Sequence, residues 1–211
     1  MKVIRPFGPT IAKASMSESL VNELNDYVDK TLKDKPKTQE LDYGKMLAGN
    51  VQQEFLLDKE FTFSSGWEFF LRENTEKWIL ESTNEKVNEF KIIDTWIVRQ
   101  FENEYNPLHS HGGHISGVGY LKLPDNYGET VQKSKEENFN GNLQLVHGSK
   151  NFLSPITLNI KPKVGDFYFF PHYLMHSVYP FKNKNAERRS VSFNAYIDAD
   201  IYNSYGKKIK Q

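Results

Sequence analysis

The sequence lacks cysteine, and it has no excess of charge of either sign, since 27 Lys and Arg are balanced by 27 Asp and Glu. Without cysteine, disulfides, zinc–thiolate sites, iron–sulfur clusters and thiol nucleophiles are excluded. A net charge of zero argues against nucleic acid or an anionic membrane surface as a partner. No apolar run is long enough for a signal peptide or a membrane span. We therefore expect a cytoplasmic protein.

The first 88 residues have the patterns of helices with a few short strands. Apolar residues at 20–32 recur at helical spacing, and Ser15-x-x-Glu18 before them has the pattern of a capping box. A second helix is predicted to begin near Ser64 or Ser65 and to carry its aromatic residues on one face. Short strands are predicted at Val3-Ile4 and near 53–57. Helices of this kind favour a supporting layer outside a sheet.

From residue 90 the pattern changes to alternation with many β-branched residues. Strands are predicted at 95–101, 115–123, 142–147, 156–160, 165–170 and 188–197. Short strands separated by turn signals are typical of an antiparallel sandwich or barrel. With one strand added from the N-terminal half, we predict a mainly β fold with a helical annex. Its core would be a double-stranded β-helix, a cupin-like jelly-roll barrel with N-terminal supporting helices. At 211 residues the chain suits a single domain over 1–211, with the annex in 1–88 and the barrel in 89–200.

Three of the six histidines fall within six residues, as His109-Ser-His111-Gly-Gly-His114. Side chains two apart on a strand point to the same face, so His109 and His111 could offer two imidazoles to one metal. A third ligand must come from elsewhere, and His176 is the natural candidate. Two neighbouring ligands and a distant third form the layout of a facial three-ligand metal site. His114 stays an alternative to His111.

The remaining histidines have simpler interpretations. His147 lies beside a glycine turn and has no partner in the pattern, so we expect it at the surface. His172 precedes His176 by four residues after Pro171, and we expect it at the surface or beside the metal ligands. A polar loop at 125–141 is long enough to act as a lid.

A row of polar side chains follows the histidines on the last predicted strand. Read as a strand, 188–197 places Arg188, Ser190, Ser192 and Asn194 on one face. Burying a cation and three hydrogen-bonding side chains is costly unless a ligand satisfies them. Arginine can grip a carboxylate with two hydrogen bonds. The row is therefore a candidate site for a small carboxylate, whereas an edge strand with its polar face in water is the alternative.

These features together resemble a known family over about residues 96–196. The matching motifs are His109-x-His111, Ser116-Gly117-Val118-x-Tyr120-Leu121, Gly165-Asp166-x-x-x-Phe170-Pro171, His176-x-Val178-x-Pro180 and Arg188-x-Ser190-x-Ser192-Phe193-Asn194. They are similar to the 2-oxoglutarate- and iron(II)-dependent oxygenases of phages and marine bacteria, which are related to the prolyl hydroxylase-like branch of that superfamily.

The resemblance implies a site and an activity. Iron(II) would be held by His109, His111 and His176. Arg188, helped by Ser190 and Tyr120, would bind the distal carboxylate of 2-oxoglutarate, and Asn194 would lie nearer the metal. With O2, the enzyme would hydroxylate a small-molecule or peptide substrate and release succinate and CO2. A phage-encoded member would work in the host cytoplasm.

One feature departs from the superfamily pattern, which usually has Asp or Glu where this chain has His111. A site with three imidazoles carries one negative charge less and also suits Zn, Cu and Ni. Two other functions therefore stay open. One is a cupin-like three-histidine metalloprotein with chemistry independent of a keto acid, such as zinc-assisted hydrolysis. The other is a non-catalytic jelly-roll binding module.

Overall fold

The computed structural model describes residues 7–204, so the strand predicted at Val3-Ile4 lies outside the described residues. The helices are α1 (Glu18–Lys33), α2 (Lys35–Glu40), α3 (Lys59–Ser64), α4 (Trp67–Thr83) and α5 (Ala199–Tyr202), with a single 3-10 turn at Gly44–Met46. The strands are β1 (Ala12–Ser15), β2 (Gln53–Leu56), β3 (Phe90–Gln100), β4 (Asn106–His109), β5 (Ile115–Lys122), β6 (Leu143–Val146), β7 (Thr157–Ile160), β8 (Asp166–Pro171), β9 (Met175–Val178) and β10 (Arg188–Ile197). Across residues 7–204, none of these helices combines the length and the apolarity that crossing a bilayer requires.

The strands form two antiparallel sheets. The six-stranded sheet has the order β1-β8-β5-β10-β3-β2, and the four-stranded sheet has the order β4-β9-β6-β7. From β3 onward the chain passes back and forth between the two sheets. β1 and β2, which come from the N-terminal half, lie at the two edges of the larger sheet. The predicted fold class is thus confirmed in its coarse form, mainly β with antiparallel sheets and few helices.

The apolar residues form two clusters on opposite faces of the larger sheet. One cluster joins the sheet to the helices, and Leu24 of α1 and Trp67 of α4 are fully buried in it. The Trp67 indole N–H donates to the Thr95 hydroxyl over 3.0 Å, which fixes α4 against β3. The second cluster includes Tyr120 of β5 and Leu145 of β6, which belong to different sheets. The helices therefore cover the outer face of the larger sheet.

Strand β10 divides its side chains between these two faces as its alternation predicts. Val191 and Phe193 belong to the cluster under the helices. Arg189 also faces the helices, where it donates to Asn25 Oδ1 over 2.9 Å and to Asp29 over 2.8 Å. The opposite face of β10 is left for the polar row that begins at Arg188.

The structure corrects several local predictions. Helix α1 is capped by Ser17, whose hydroxyl accepts from the Leu20 N–H, so the capping box at Ser15-x-x-Glu18 is wrong. Ser15 is unavailable because it pairs with Asp166 at the end of β1. The segment Phe90–Ile197 itself holds eight strands, β3 to β10, with four in each sheet. The N-terminal half adds two edge strands, β1 and β2, within the described residues, where one strand was predicted.

Candidate metal and cosubstrate site

The structure brings the imidazoles of His109, His111 and His176 together. His109 ends β4 and is the register partner of His176 on β9. His111 lies in the turn before β5, so it reaches the cluster through that turn and not from a strand position. One nitrogen of each ring lies within 4.8 Å of one nitrogen of each other ring. Nε2 of His111 lies 3.0 Å from Nε2 of His176.

Backbone carbonyls fix the orientation of two of these rings. Nδ1–H of His109 donates to the Pro107 carbonyl over 2.7 Å, and Nδ1–H of His176 donates to the Leu174 carbonyl over 2.8 Å. A carbonyl can only accept, so these bonds place the proton on Nδ1 and leave a lone pair on Nε2. This is the usual arrangement of histidines that bind a metal.

Burial keeps the three imidazoles neutral. Loss of solvation, followed by the mutual repulsion of the rings, lowers the pKa of His111 to about 3 and that of His176 to about 4. Burial also lowers the pKa of His109. The three rings are therefore unprotonated near neutral pH, which is the form in which imidazole binds a metal.

The turn that carries His111 is held in place by its neighbours. The His111 N–H donates to the His172 carbonyl over 2.9 Å, and Nδ1–H of His172 donates back to the His111 carbonyl over 3.0 Å. The indole of Trp96 lies 5.5 Å from the His111 ring. His172 was expected at the surface or beside the ligands, and it lies against the His111 backbone.

His114 and His147 lie outside the cluster. Nδ1 of His114 lies 3.0 Å from the Ile197 carbonyl, and its ring stacks on Tyr202 at a centroid distance of 3.9 Å. His147 is exposed. His111 and His114 were the two candidates for the metal ligand that follows His109 in the sequence, and the geometry favours His111.

Arg188 lies in the same cavity as the three imidazoles. The cavity is lined by His109, His111, His176, Arg188, Ser190 and Ser192, among other residues. The Arg188 side chain is only 1% exposed, and its Nε–H donates to the Gly141 carbonyl over 3.2 Å. Its guanidinium also lies 3.5 Å from the Ser190 hydroxyl.

Several polar atoms around Arg188 are buried without a hydrogen-bond partner among the described residues. They are Nη2 of Arg188, the hydroxyl of Tyr120 and the hydroxyl of Tyr127. The guanidinium lies 5.1 Å from the centroid of the Tyr120 ring. No salt bridge within residues 7–204 includes Arg188. A buried cation beside unsatisfied donors is costly, so the arrangement calls for an anion.

Tyr127 lies close enough to Arg188 for the two to interact electrostatically, and the sequence patterns did not reveal this proximity. It belongs to the loop at 125–141, whose last residue, Gly141, accepts the hydrogen bond from Arg188. Gly141 has φ +72, and a Cβ at this position would lie 2.2 Å from Cε1 of the Tyr127 ring. Glycine therefore lets the loop pack closely over the arginine.

Asn194 lies farther along the polar face than the residues that line the cavity. It pairs with Asp94 of β3 and with Ser116 of β5. Its Oδ1 is buried and lacks a partner in the part of the chain that the structure describes. Its role toward a ligand stays a prediction.

One segment of the chain, residues 94–194, is similar to a known family. Residues 94–194 match the sequence model of the family described as "Putative 2OG-Fe(II) oxygenase". A search of curated protein sequences found no match.

Solved structures with similar folds have low sequence identity. A prolyl-4-hydroxylase from Pseudomonas putida is 13% identical with a TM-score of 0.56, covering 87% of this chain and 91% of its own. A prolyl hydroxylase from Trichoplax adhaerens, in complex with a hypoxia inducible factor oxygen degradation domain peptide fragment, is 11% identical with a TM-score of 0.56, covering 91% of this chain and 85% of its own. HygX from Streptomyces hygroscopicus, with nickel and 2-oxoglutarate bound, is 12% identical with a TM-score of 0.55. The match covers 88% of this chain and 81% of HygX. Over residues 94–194, the chain is similar to the 2-oxoglutarate- and iron(II)-dependent oxygenase family.

Proposed function

We propose that the chain binds iron(II) through Nε2 of His109, His111 and His176, binds 2-oxoglutarate through Arg188, and hydroxylates a substrate with release of succinate and CO2. The observation that carries this proposal is a single cavity that has three neutral imidazoles and a buried arginine without an anionic partner. This combination also favours a keto-acid cosubstrate over metal chemistry that needs no keto acid.

The donor set fits a divalent metal. Two ligands at right angles on a metal, each about 2.1 Å from it, are roughly 3.0 Å apart, and the Nε2 atoms of His111 and His176 have this separation, 3.0 Å. The cluster contains no carboxylate. Three neutral imidazoles leave the charge of the metal uncompensated, so a dianionic keto acid would supply the negative charge that a ligand carboxylate supplies elsewhere in the superfamily.

The residues around Arg188 fit the distal carboxylate of 2-oxoglutarate. The guanidinium offers two N–H donors side by side, which is the arrangement that binds a carboxylate with two hydrogen bonds. The hydroxyls of Tyr120, Ser190 and Tyr127 lie around it and would complete the site. Asn194 would lie nearer the metal end of the cosubstrate. Iron(II) bound with 2-oxoglutarate and O2 supplies the oxidising chemistry, and the protein supplies binding and orientation.

We propose further that the fold is a double-stranded β-helix of the jelly-roll type. Support comes from the eight strands β3 to β10, four of which lie in each of the two antiparallel sheets. Support for a single domain over 1–211 comes from the apolar cluster that joins α1 and α4 to the larger sheet.

A small molecule or a peptide stays the expected substrate. The Trichoplax adhaerens neighbour was solved with a peptide fragment, which makes a peptide a reasonable choice for this chain. Nucleic acid is disfavoured because the net charge is zero. A cytoplasmic location and a phage or marine bacterial source stay predictions.

The test is the conversion of 2-oxoglutarate by protein reconstituted with iron(II). We expect succinate to form under air, and not under argon or in metal-free protein. A protein that holds one iron(II) per chain and binds 2-oxoglutarate, but forms no succinate under air with any tested substrate, would contradict an oxygenase activity.

A further inference from the structure

Glu54 lies on the face of the larger sheet that borders the metal and cosubstrate cavity. It pairs with Val98 across β2 and β3, and Val98 pairs with Ser190 of β10. Residues that pair directly across strands point to the same face. Glu54 accordingly lines the cavity together with Ser190 and the three imidazoles. Because β2 is the edge strand, Glu54 lies on the side of the cavity away from Tyr120 of β5.

The Glu54 carboxyl group is buried without a cation. The residue is 2% exposed, and its Oε1 has no hydrogen-bond partner within residues 7–204. Its described polar neighbour is Asn106, whose side chain donates a hydrogen bond to the carboxyl group. The other charged groups near it are the carboxylates of Asp42 and Glu104, which repel it. None of the salt bridges in the described part of the chain includes Glu54.

Gly49 leaves room for this carboxyl group. A Cβ at Gly49 would lie 2.6 Å from Oε1 of Glu54 and 3.0 Å from Nδ2 of Asn106. The neighbouring residues Leu47 and Ala48 also line the cavity. The segment 47–49 thus forms the wall of a small acidic recess, and we call Glu54, Asn106 and segment 47–49 the acidic recess below.

Burying an ionised carboxyl group in the acidic recess costs free energy, and no salt bridge within the described residues offsets this cost. Burial, helped by repulsion from Asp42 and Glu104, raises the pKa of Glu54 to about 7 against the hydrogen bond from Asn106. With three neutral imidazoles, a divalent metal and a dianionic keto acid cancel each other's charge. Neither of them pairs with the carboxyl group of Glu54, and Arg188, the other charged side chain that lines the cavity, forms no salt bridge with it among the described residues.

Direct ligation of the metal does not account for Glu54. Among the described residues, the group that could hold a metal consists of the three histidines and does not include Glu54. A carboxyl group aimed into a substrate cavity, with a free oxygen and no cation, is instead complementary to a positively charged nitrogen.

We propose that the acidic recess binds a basic nitrogen of the substrate, an ammonium or a guanidinium group, through the Glu54 carboxylate. This proposal rests on the function proposed above, and it names the substrate class of that same site. The substrate would be a basic amine or a molecule with a basic side chain.

The test uses n-butylammonium and n-butylguanidinium as cationic probes and n-butylurea as their neutral isostere. Their dissociation constants are measured by calorimetry, both for metal-free protein and for protein loaded with Mn(II) and 2-oxoglutarate under argon. We expect at least one cation to bind about tenfold or more tightly than the urea. The Glu54→Gln variant should lose this preference, because glutamine keeps the shape but not the charge. The Gly49→Ala variant should weaken it, because its Cβ displaces the carboxyl group.

Asp42→Asn is the matched control, since it removes a nearby carboxylate that does not line the cavity. It should keep the preference for the cation. The proposal is overturned if wild-type protein prefers neither cation, if Glu54→Gln keeps the preference, or if Glu54→Gln loses the metal. If wild-type protein fails to bind 2-oxoglutarate, the proposed function fails, and the binding of the cations to metal-free protein still decides the role of the acidic recess.

Discussion

Nε2 of His111 and Nε2 of His176 lie 3.0 Å apart, although the two residues are 65 positions apart in the sequence. Nδ1–H of His176 donates to a carbonyl, so its Nε2 carries a lone pair. Two neutral nitrogens this close need a shared proton or a cation between them. The separation therefore fits a cation held between the two rings, which substitution of the three histidines tests.

His109→Ala, His111→Ala and His176→Ala should each lose the metal, because two imidazoles leave a divalent ion without its third protein ligand. Bound metal per chain is measured by elemental analysis after reconstitution with iron(II) under argon and removal of free ion. Wild-type protein should keep about one ion per chain, as a facial site predicts.

His114→Ala is the control for these variants, since His114 lies outside the cluster. It should bind metal as wild-type protein does. If His114→Ala loses the metal and His111→Ala keeps it, His114 and not His111 is the metal ligand.

Tyr127→Phe should weaken the binding of 2-oxoglutarate. The Tyr127 hydroxyl is buried without a partner, and the charge of Arg188 acts on it by lowering its pKa against the effect of burial. Loss of one hydrogen bond to the cosubstrate should cost about 1 kcal/mol, or roughly a fivefold loss of affinity. Calorimetric titration of the metal-loaded protein under argon measures this loss. Tyr196→Phe, at an exposed position of β10, should leave the affinity unchanged. Equal affinities of Tyr127→Phe and wild-type protein would remove Tyr127 from the site.

Glu187→Gln should destabilise the fold in a way that depends on pH. Burial raises the pKa of Glu187, but hydrogen bonds and charges from Arg99 and Arg189 outweigh it and lower the pKa from 4.5 to about 2. Since the folded pKa lies below the unfolded one, ionised Glu187 stabilises the fold above about pH 4.5 and loses this contribution toward about pH 2. At neutral pH the variant should lose about 3 kcal/mol of unfolding free energy.

Urea denaturation at several pH values measures this difference. The deficit of Glu187→Gln should shrink as the pH falls below about 4. Glu129→Gln removes a carboxylate from an exposed ion pair and should leave stability unchanged. A deficit that is equal at all pH values would show that packing, and not charge, explains the effect of Glu187→Gln.

Glu54→Gln should have the opposite effect on stability. Burial raises the pKa of Glu54 from 4.5 to about 7, so the folded protein holds a proton that the unfolded chain releases. The fold therefore loses stability as the pH rises from 4.5 to about 7. In metal-free protein at about pH 8 the variant should gain up to about 3 kcal/mol over wild-type protein, and at about pH 4 the two should be equal. If the variant unfolds more easily than wild-type protein at both pH values, Glu54 stabilises the fold, and burial of its carboxyl group does not cost the free energy stated here.

Local patterns predict the long elements of this fold well. The helical spacing at 20–32 corresponds to α1, and the alternation over 188–197 corresponds to β10. The same alternation places Arg188 and Arg189 on opposite faces of the sheet. The prediction is secure because the strand has ten consecutive residues. Strands β1, β4 and β9 are four residues long, and such short runs carry little periodic signal.

Local patterns cannot reveal residues that reach the site through tertiary folding. Glu54 comes from a four-residue edge strand, and Tyr127 comes from a polar loop without regular structure. Neither residue has a neighbour in the sequence that indicates a ligand. His111 reaches the cluster from a turn, so strand alternation does not explain why its ring lies beside those of His109 and His176.

The central claim is that Arg188 and the three histidines form one site for a keto acid and a metal. The most direct test is calorimetric titration of 2-oxoglutarate into wild-type protein, Arg188→Ala and Arg189→Gln, each with and without Mn(II) under argon. Arg189 is a similarly buried arginine that faces the helices, so its variant controls for the loss of a buried positive charge. We predict one 2-oxoglutarate per wild-type chain, dependent on metal, with affinity lowered by about 2–4 kcal/mol in Arg188→Ala and unchanged in Arg189→Gln. Equal affinity of wild-type protein and Arg188→Ala, or binding that ignores the metal, would contradict the account.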